Sequence, residues 1–259
     1  MRASEIAHRL GLKWTTAYRS LAHLCAARYL RKDEASGVYY IGPRMHLIGE
    51  AYLINHPLLD AGADALRSLA HSADASAQLN EREGFVSTVL LAVDPHLEII
   101  PKTMPQFNFP LHAGSKGHVL LAYSDPAVFA AMTEKPLQAL TDKTITDPPE
   151  LHERLRQVRS QGYAVTREDV QHGTGSVAAP VFGVGGELVG AVCLIVTVQE
   201  MNEKRIAELI SGATLTARQI SLRLGWRHGD FSEAIERWTQ AIALSDGAHG
   251  AVRPNQTAH

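Results

Sequence analysis

The hydrophobic period of the chain changes near residue 75, and that change restricts the folds open to it. Before it, apolar side chains recur three and four residues apart, as on one face of a helix. They are Ala17, Leu21 and Leu24, then Met45, Leu47, Ile48, Tyr52 and Leu53, then Leu59, Ala63, Leu66 and Ala70. After it come short runs rich in β-branched and apolar residues, at 75–79, 85–93, 97–101, 163–168, 176–182 and 187–196, parted by turns such as Glu83-Gly84 and Gly185-Gly186. Helical patterns occupy 115–122, 126–132, 149–161 and 202–224. Six strands interrupted by helices make an α+β domain behind a small helical head, and 259 residues suffice for two domains.

Within the head, Ser4 is the expected N-cap of a short helix through Glu5, Ile6, Ala7 and Leu10, ended by Gly11. A second helix runs from near Trp14 to about Ala27. If Ala17, Leu21 and Leu24 are its buried stripe, Thr15, Arg19 and Ala22 lie opposite, flanked by Thr16 and Tyr18. Short polar groups and a long donor on the first turns of a helix are what base edges and phosphates require. Residues 29–32 and 38–41 read as two short strands around a polar turn, and Arg31 and Lys32 would lie beside a DNA backbone. The charge is divided accordingly. Residues 1–45 hold eight basic and three acidic side chains, a formal +5 that leaves −7 on the rest of a chain with net charge −2.

These residues resemble a known family. Ser4-Glu5-Ile6-Ala7, Gly11-Leu12, Thr15-Thr16-Ala17-Tyr18-Arg19 and Tyr39-Tyr40-Ile41-Gly42-Pro43-Arg44 are similar to the DNA-binding domain of the isocitrate lyase regulator (IclR) family. The likeness is strongest over 58–225. It is carried by Leu111-His112-Ala113-Gly114-Ser115-Lys116-Gly117-His118, by Ile145-Thr146-Asp147-Pro148 before Gly162-Tyr163, by Glu168-Asp169, and by Gly173 before Ser176-Val177-Ala178-Ala179-Pro180. The resemblance implies an α+β protein with an N-terminal winged helix-turn-helix at 1–44 and a linker helix at 45–57. It further implies a GAF-like effector-binding domain at 58–225, with a six-stranded antiparallel sheet flanked by helices. Residues 226–259 form a C-terminal extension, with an amphipathic helix expected at 231–244. Family members carry a further helix ahead of the point where this chain begins, so the first helix of the head is expected to be missing.

Carried over residue by residue, the resemblance assigns DNA contacts to Lys13, Trp14, Thr15, Thr16, Tyr18, Arg19, Arg31 and Lys32. It assigns an effector cavity to Phe109, Ser115, Lys116, Thr166, Thr174, Ser176, Cys193 and Ile195. A helix starting at Ser115 would turn its N–H groups toward that cavity, and Lys116 would add a cation, which suits a small organic acid. Lys116 could instead point to solvent or pair with Glu168 or Asp169, and His112 is expected to brace its loop. The implied partners are a double-stranded DNA operator, the acid effector, and a second or further copies of the chain in a dimer or tetramer. The residues alone leave open whether the 45–53 stripe pairs two heads or packs on its own domain.

Other classes find less support. Cys25 and Cys193 stand far apart with no metal-type spacing, so no metal or other cofactor is expected. No secretion signal or membrane-length apolar run occurs, and a cytoplasmic protein without membrane contact is expected. An enzyme could assemble acid–base pairs such as His112 with Glu168 or His172 with Asp169, but no nucleophile elbow, phosphate loop or dinucleotide fingerprint accompanies them, and no catalytic residue is assigned. A ligand-binding protein without DNA binding is the remaining alternative.

Overall fold

The computed structural model describes residues 1–96 and 108–227. The strand expected at 97–101 and the helix expected at 231–244 lie outside those residues. The chain divides between His56 and Pro57 into two units, each with its own packing.

In the first unit, helix α1 (Ala3–Arg9) starts two residues earlier than expected. Arg2 is its N-cap, and Ser4 sits inside the first turn. The cause is Glu5, whose carboxylate reaches back to accept the Arg2 backbone N–H at 2.9 Å. Gly11, at φ +61°, turns the chain into α2 (Trp14–Ala26). Ala17 and Leu21 are buried on α2 as its pattern requires, but Leu24 is 41% exposed. The buried stripe of α2 is therefore shorter than its spacing suggested.

Strands β1 (Leu30–Lys32) and β2 (Tyr39–Ile41) pair antiparallel with Arg31 opposite Tyr40. That register lays the Arg31 guanidinium 4.8 Å from the Tyr40 ring centroid. The turn between them is held by Asp33, whose carboxylate accepts the N–H groups of Ala35 and Ser36 at 3.0 and 2.9 Å. Helix α3 (Pro43–Ile54) follows, and Met45, Leu47, Ile48 and Tyr52 are all exposed. Met45, Leu47 and Ile48 therefore lie outside the buried core of their unit, while Tyr52 meets His56 edge-on with ring centroids 5.1 Å apart.

The second unit is a three-layer sandwich. Its sheet is antiparallel with strand order β5-β4-β3-β8-β7-β6, built from β3 (Ser76–Glu83), β4 (Val86–Val93), β5 (Asn108–Pro110), β6 (Ala164–Arg167), β7 (Thr174–Phe182) and β8 (Leu188–Thr197). Five strands stand where alternation and β-branching placed them. The sixth, β5, was not expected: three residues ending in Pro110 offer no period to read, and β4 holds it by pairing Ser87 with Phe109.

Strand alternation sorts the two faces of the sheet. Leu79, Val192 and Leu194 point toward α4 (Pro57–Ala73) and α8 (Glu203–Arg223), whose Leu66, Leu69, Leu209 and Ile220 are fully or almost fully buried. Ala178, Phe182, Ala191 and Cys193 point the other way and join Leu111, Val119, Leu120, Leu151 and Leu155 in a second cluster. The last four of these residues belong to α5 (Gly114–Ala122) and α7 (Pro148–Gln161); the short α6 (Pro126–Thr133) lies between them in sequence. Helix α7 is bounded by Asp147, whose side chain accepts the Glu150 N–H at 3.1 Å, by Pro148 in its first turn, and by Gly162 at φ +80°. Both faces of β7 and β8 are covered, so these strands are continuously apolar rather than alternating.

One close approach fixes α5. A Cβ on Gly117 would lie 2.7 Å from the Leu111 carbonyl oxygen and 3.0 Å from its carbon, and both are backbone atoms. Gly117→Ala is therefore expected to destabilise the second unit by roughly 2 kcal/mol, within the range of overpacked cores. Thermal denaturation would show a drop of roughly 4–8 °C.

Candidate functional site

The arrangement around the start of α5 is built from local hydrogen bonds. Asp169 Oδ2 accepts the Gly114 N–H at 2.8 Å, and Thr166 Oγ1 accepts the Ser115 N–H at 3.1 Å. The first two N–H groups of the helix are thus engaged by side chains, and do not face open space as the sequence suggested. The Ser115 hydroxyl donates to Ser176 Oγ at 2.7 Å and lies 3.6 Å from Cys193 Sγ, while Thr166 and Ser176 are 3.0 Å apart. These contacts leave Ser115 fully buried behind the wall, a correction to its expected place on the cavity surface.

A cavity of about 290 Å³ lies beside this cluster. Phe109, Lys116, Thr166, Thr174, Ser176, Cys193 and Ile195 line it, so the fold gathers seven of the eight expected residues from four strands and one helix. Sequence reasoning missed Ser76, Gln78, Ala92, Asp94, Asp169 and Val170. Two of them are placed by the pairing register, which the sequence alone did not supply. Gln78 stands opposite Cys193 and Ser76 opposite Ile195, and cross-strand partners share a face.

Lys116 is the central charge. Its residue is 4% exposed, and Nζ donates to Gln78 Oε1 at 2.8 Å and lies 5.1 Å from the Phe109 ring centroid. Neither Glu168 nor Asp169 takes it: Glu168 Oε1 accepts the Gly173 N–H, and Asp169 serves Gly114. Burial pushes the Lys116 ammonium below the ordinary lysine range. A desolvated amine whose one hydrogen-bond partner here is a neutral amide carries a burial cost that this contact does not offset with an opposite charge.

Two histidines brace this region. His112 Nε2 lies 2.9 Å from the Gln138 carbonyl oxygen, the loop-holding role expected of it. His118 is 1% exposed, its Nε2 is 2.9 Å from the His112 carbonyl oxygen, and Nδ1 has no partner among the described residues. Burial lowers its pKa, against a smaller opposing pull from Asp169. A depressed histidine is neutral in the fold but takes a proton when unfolded. Its contribution to stability is therefore present above the unfolded value, about 6.5, and is lost as pH falls below that value. Measured from pH 8 to pH 5, the melting temperature of the wild type should fall further between about 6.5 and 5 than that of His118→Gln, so the difference between them changes with pH.

The exposed face of the head collects the other expected set. Lys13, Trp14, Thr15, Thr16, Tyr18, Arg19 and Arg31 are all exposed, and Trp14 and Tyr18 stack with ring centroids 5.1 Å apart. Lys32 is half-buried and paired with Glu34 at 2.9 Å, so its charge is partly answered within the protein. The two acid–base pairs named from the sequence, His112 with Glu168 and His172 with Asp169, are not assembled. His172 faces Asp142 at 3.6 Å rather than Asp169, and Glu168 is held by Gly173. Among the described residues no cluster of three metal-ligating side chains occurs, and no helix is long and apolar enough to cross a membrane.

Comparison with known proteins places these features. Residues 50–222 match the family model described as the bacterial transcriptional regulator IclR, C-terminal. The chain is 29% identical over 225 residues to the HTH-type transcriptional regulator BhcR of Paracoccus denitrificans, covering 86% of this chain and 81% of that one. It is 30% identical over 228 residues to the glycerol operon regulatory protein of Streptomyces coelicolor, covering 86% and 88%. Its fold is similar to that of an IclR homologue from Microbacterium hydrocarbonoxydans crystallised with 4-hydroxybenzoate. That likeness has a TM-score of 0.72, 22% identity, and 86% and 91% of the two chains covered.

Proposed function

The chain belongs to the IclR family of bacterial transcriptional regulators, and on that premise we propose that its head is a winged helix-turn-helix that grips an operator while its cavity holds a small organic acid that sets the grip. In this reading α1 and α2 are the helix-turn-helix, and α2 enters the major groove with Thr15, Thr16 and Arg19 toward the base edges. Lys13, Trp14 and Tyr18 approach the flanking backbone, and Arg31 on the β1–β2 wing, with Lys32 beside it, adds phosphate contacts that give affinity without sequence. The second unit is a GAF-like sensor. The observation that carries this reading is the buried Lys116 ammonium on a cavity wall without an acid partner among the described residues. A ligand carboxylate would complete it, and the 4-hydroxybenzoate of the Microbacterium structure is an acid of that kind.

The exposed apolar residues of α3, Met45, Leu47, Ile48 and Tyr52, support self-association, which would present two recognition helices to a two-fold-related operator. The acid would act by binding two conformations of that assembly unequally. Sequencing of genomic fragments retained by the purified protein tests the DNA-binding half. A short inverted repeat enriched in the bound fraction is the expected result. Retention that depends on fragment length and salt but not on sequence would contradict it.

A further inference from the structure

Among the described residues lining the cavity, Lys116 is the one cation; it is bonded to a neutral amide and pairs with neither Asp169 nor Asp94. Asp94 accepts the His96 N–H at 2.9 Å and the Ser76 hydroxyl, and Asp169 accepts the Gly114 N–H at 2.8 Å. A carboxylate can accept about four hydrogen bonds, so Asp169 retains acceptor capacity toward a ligand.

Resting on the reading of the cavity as an effector site, we propose that it selects acids bearing a single carboxylate and a hydrogen-bond donor, and rejects dicarboxylates of the same size. The first carboxylate of a ligand completes the Lys116 ammonium and offsets the cost of burying both charges. A second carboxylate finds no cation among the described residues. It would share a space of about 290 Å³ with the charge of the buried Asp169, where water screens less than in bulk. A hydroxyl in its place donates to Asp169. The volume equals roughly ten waters at about 30 Å³ each, which suits a ligand of about ten heavy atoms or fewer.

Calorimetry on the full chain tests this with matched pairs in which a hydroxymethyl group replaces a carboxylate. Suitable pairs are 3-hydroxypropanoate against propanedioate and 4-hydroxybutanoate against butanedioate, within a panel of hydroxy acids of no more than about ten heavy atoms. The hydroxy acid that binds best should exceed its matched diacid by about 30-fold or more. Lys116→Met should lose that binding with an unchanged circular dichroism spectrum. Asp169→Asn keeps an acceptor for the Gly114 N–H while removing the charge, and should narrow the preference at least about fivefold. Equal binding within pairs, preference for the diacid, or no binding by any hydroxy acid of the panel would overturn the charge rule. Failure of the two readings is separable. Hydroxy acids that bind with this preference but leave operator affinity unchanged would sink the effector role alone, and diacids that bind and alter operator affinity would sink the charge rule alone.

Discussion

Replacing Arg19 with alanine is expected to lower affinity for the operator by roughly 10- to 100-fold and to relax sequence preference at one base pair of each half-site, the loss expected of a bidentate base contact. Arg19 stands one turn beyond Thr15 on the exposed side of α2, away from buried Ala17 and Leu21, so its removal leaves the core of the head intact. Arg31→Ala is the matching control. A phosphate contact carries no sequence information, so binding should weaken similarly on all sequences and the salt dependence should fall by about one counterion. Competition binding at several salt concentrations distinguishes the two. If Arg19→Ala weakens all sequences alike, α2 does not read base edges through that side chain.

Lys116→Met is expected to split stability from function. The apo protein should become more stable, by on the order of 1 kcal/mol or more, because an apolar chain of similar length replaces a desolvated amine. The sign follows from the lowered pKa. Below about 10.5 the unfolded chain accepts a proton that the folded site resists, so Lys116 costs stability as pH falls from there through its folded value. The gain in the variant should therefore be present at neutral pH and vanish at strongly alkaline pH. Acid binding should fall by roughly 10- to 100-fold, the loss of a charge-assisted contact to a buried amine. Denaturant melts at two pH values with calorimetry on the same preparations check both halves. Lower apo stability in Lys116→Met would show that its hydrogen bond to Gln78 and its contact with Phe109 outweigh its desolvation.

Elements with a strong period were legible before any coordinates. The apolar runs of β7 and β8, the Asp147-Pro148 start and Gly162 end of α7, and the Arg31-to-Tyr40 hairpin each follow from local chemistry. What escaped depended on contacts distant in sequence. Strand β5 exists because β4 offers it partners, and Leu24 is exposed although its spacing matches a buried stripe. At the site, the cavity residues on β7 and β8 were legible by alternation and resemblance. Gln78 and Asp94 were not, since only the pairing of β3 with β8 and β4 brings them there. Ser115 was placed one layer too far forward. Its period is right, but the Thr166 and Ser176 hydroxyls that draw it inward lie about fifty and sixty residues away.

The link between cavity and head is tested most directly by titrating the full chain into a fluorescent operator duplex at fixed salt, with and without a hydroxy acid at a concentration that calorimetry shows to saturate the cavity. The operator dissociation constant should shift by at least about fivefold in the wild type and by far less at the same acid concentration in Lys116→Met. An operator affinity that stays the same with the cavity full would contradict the account.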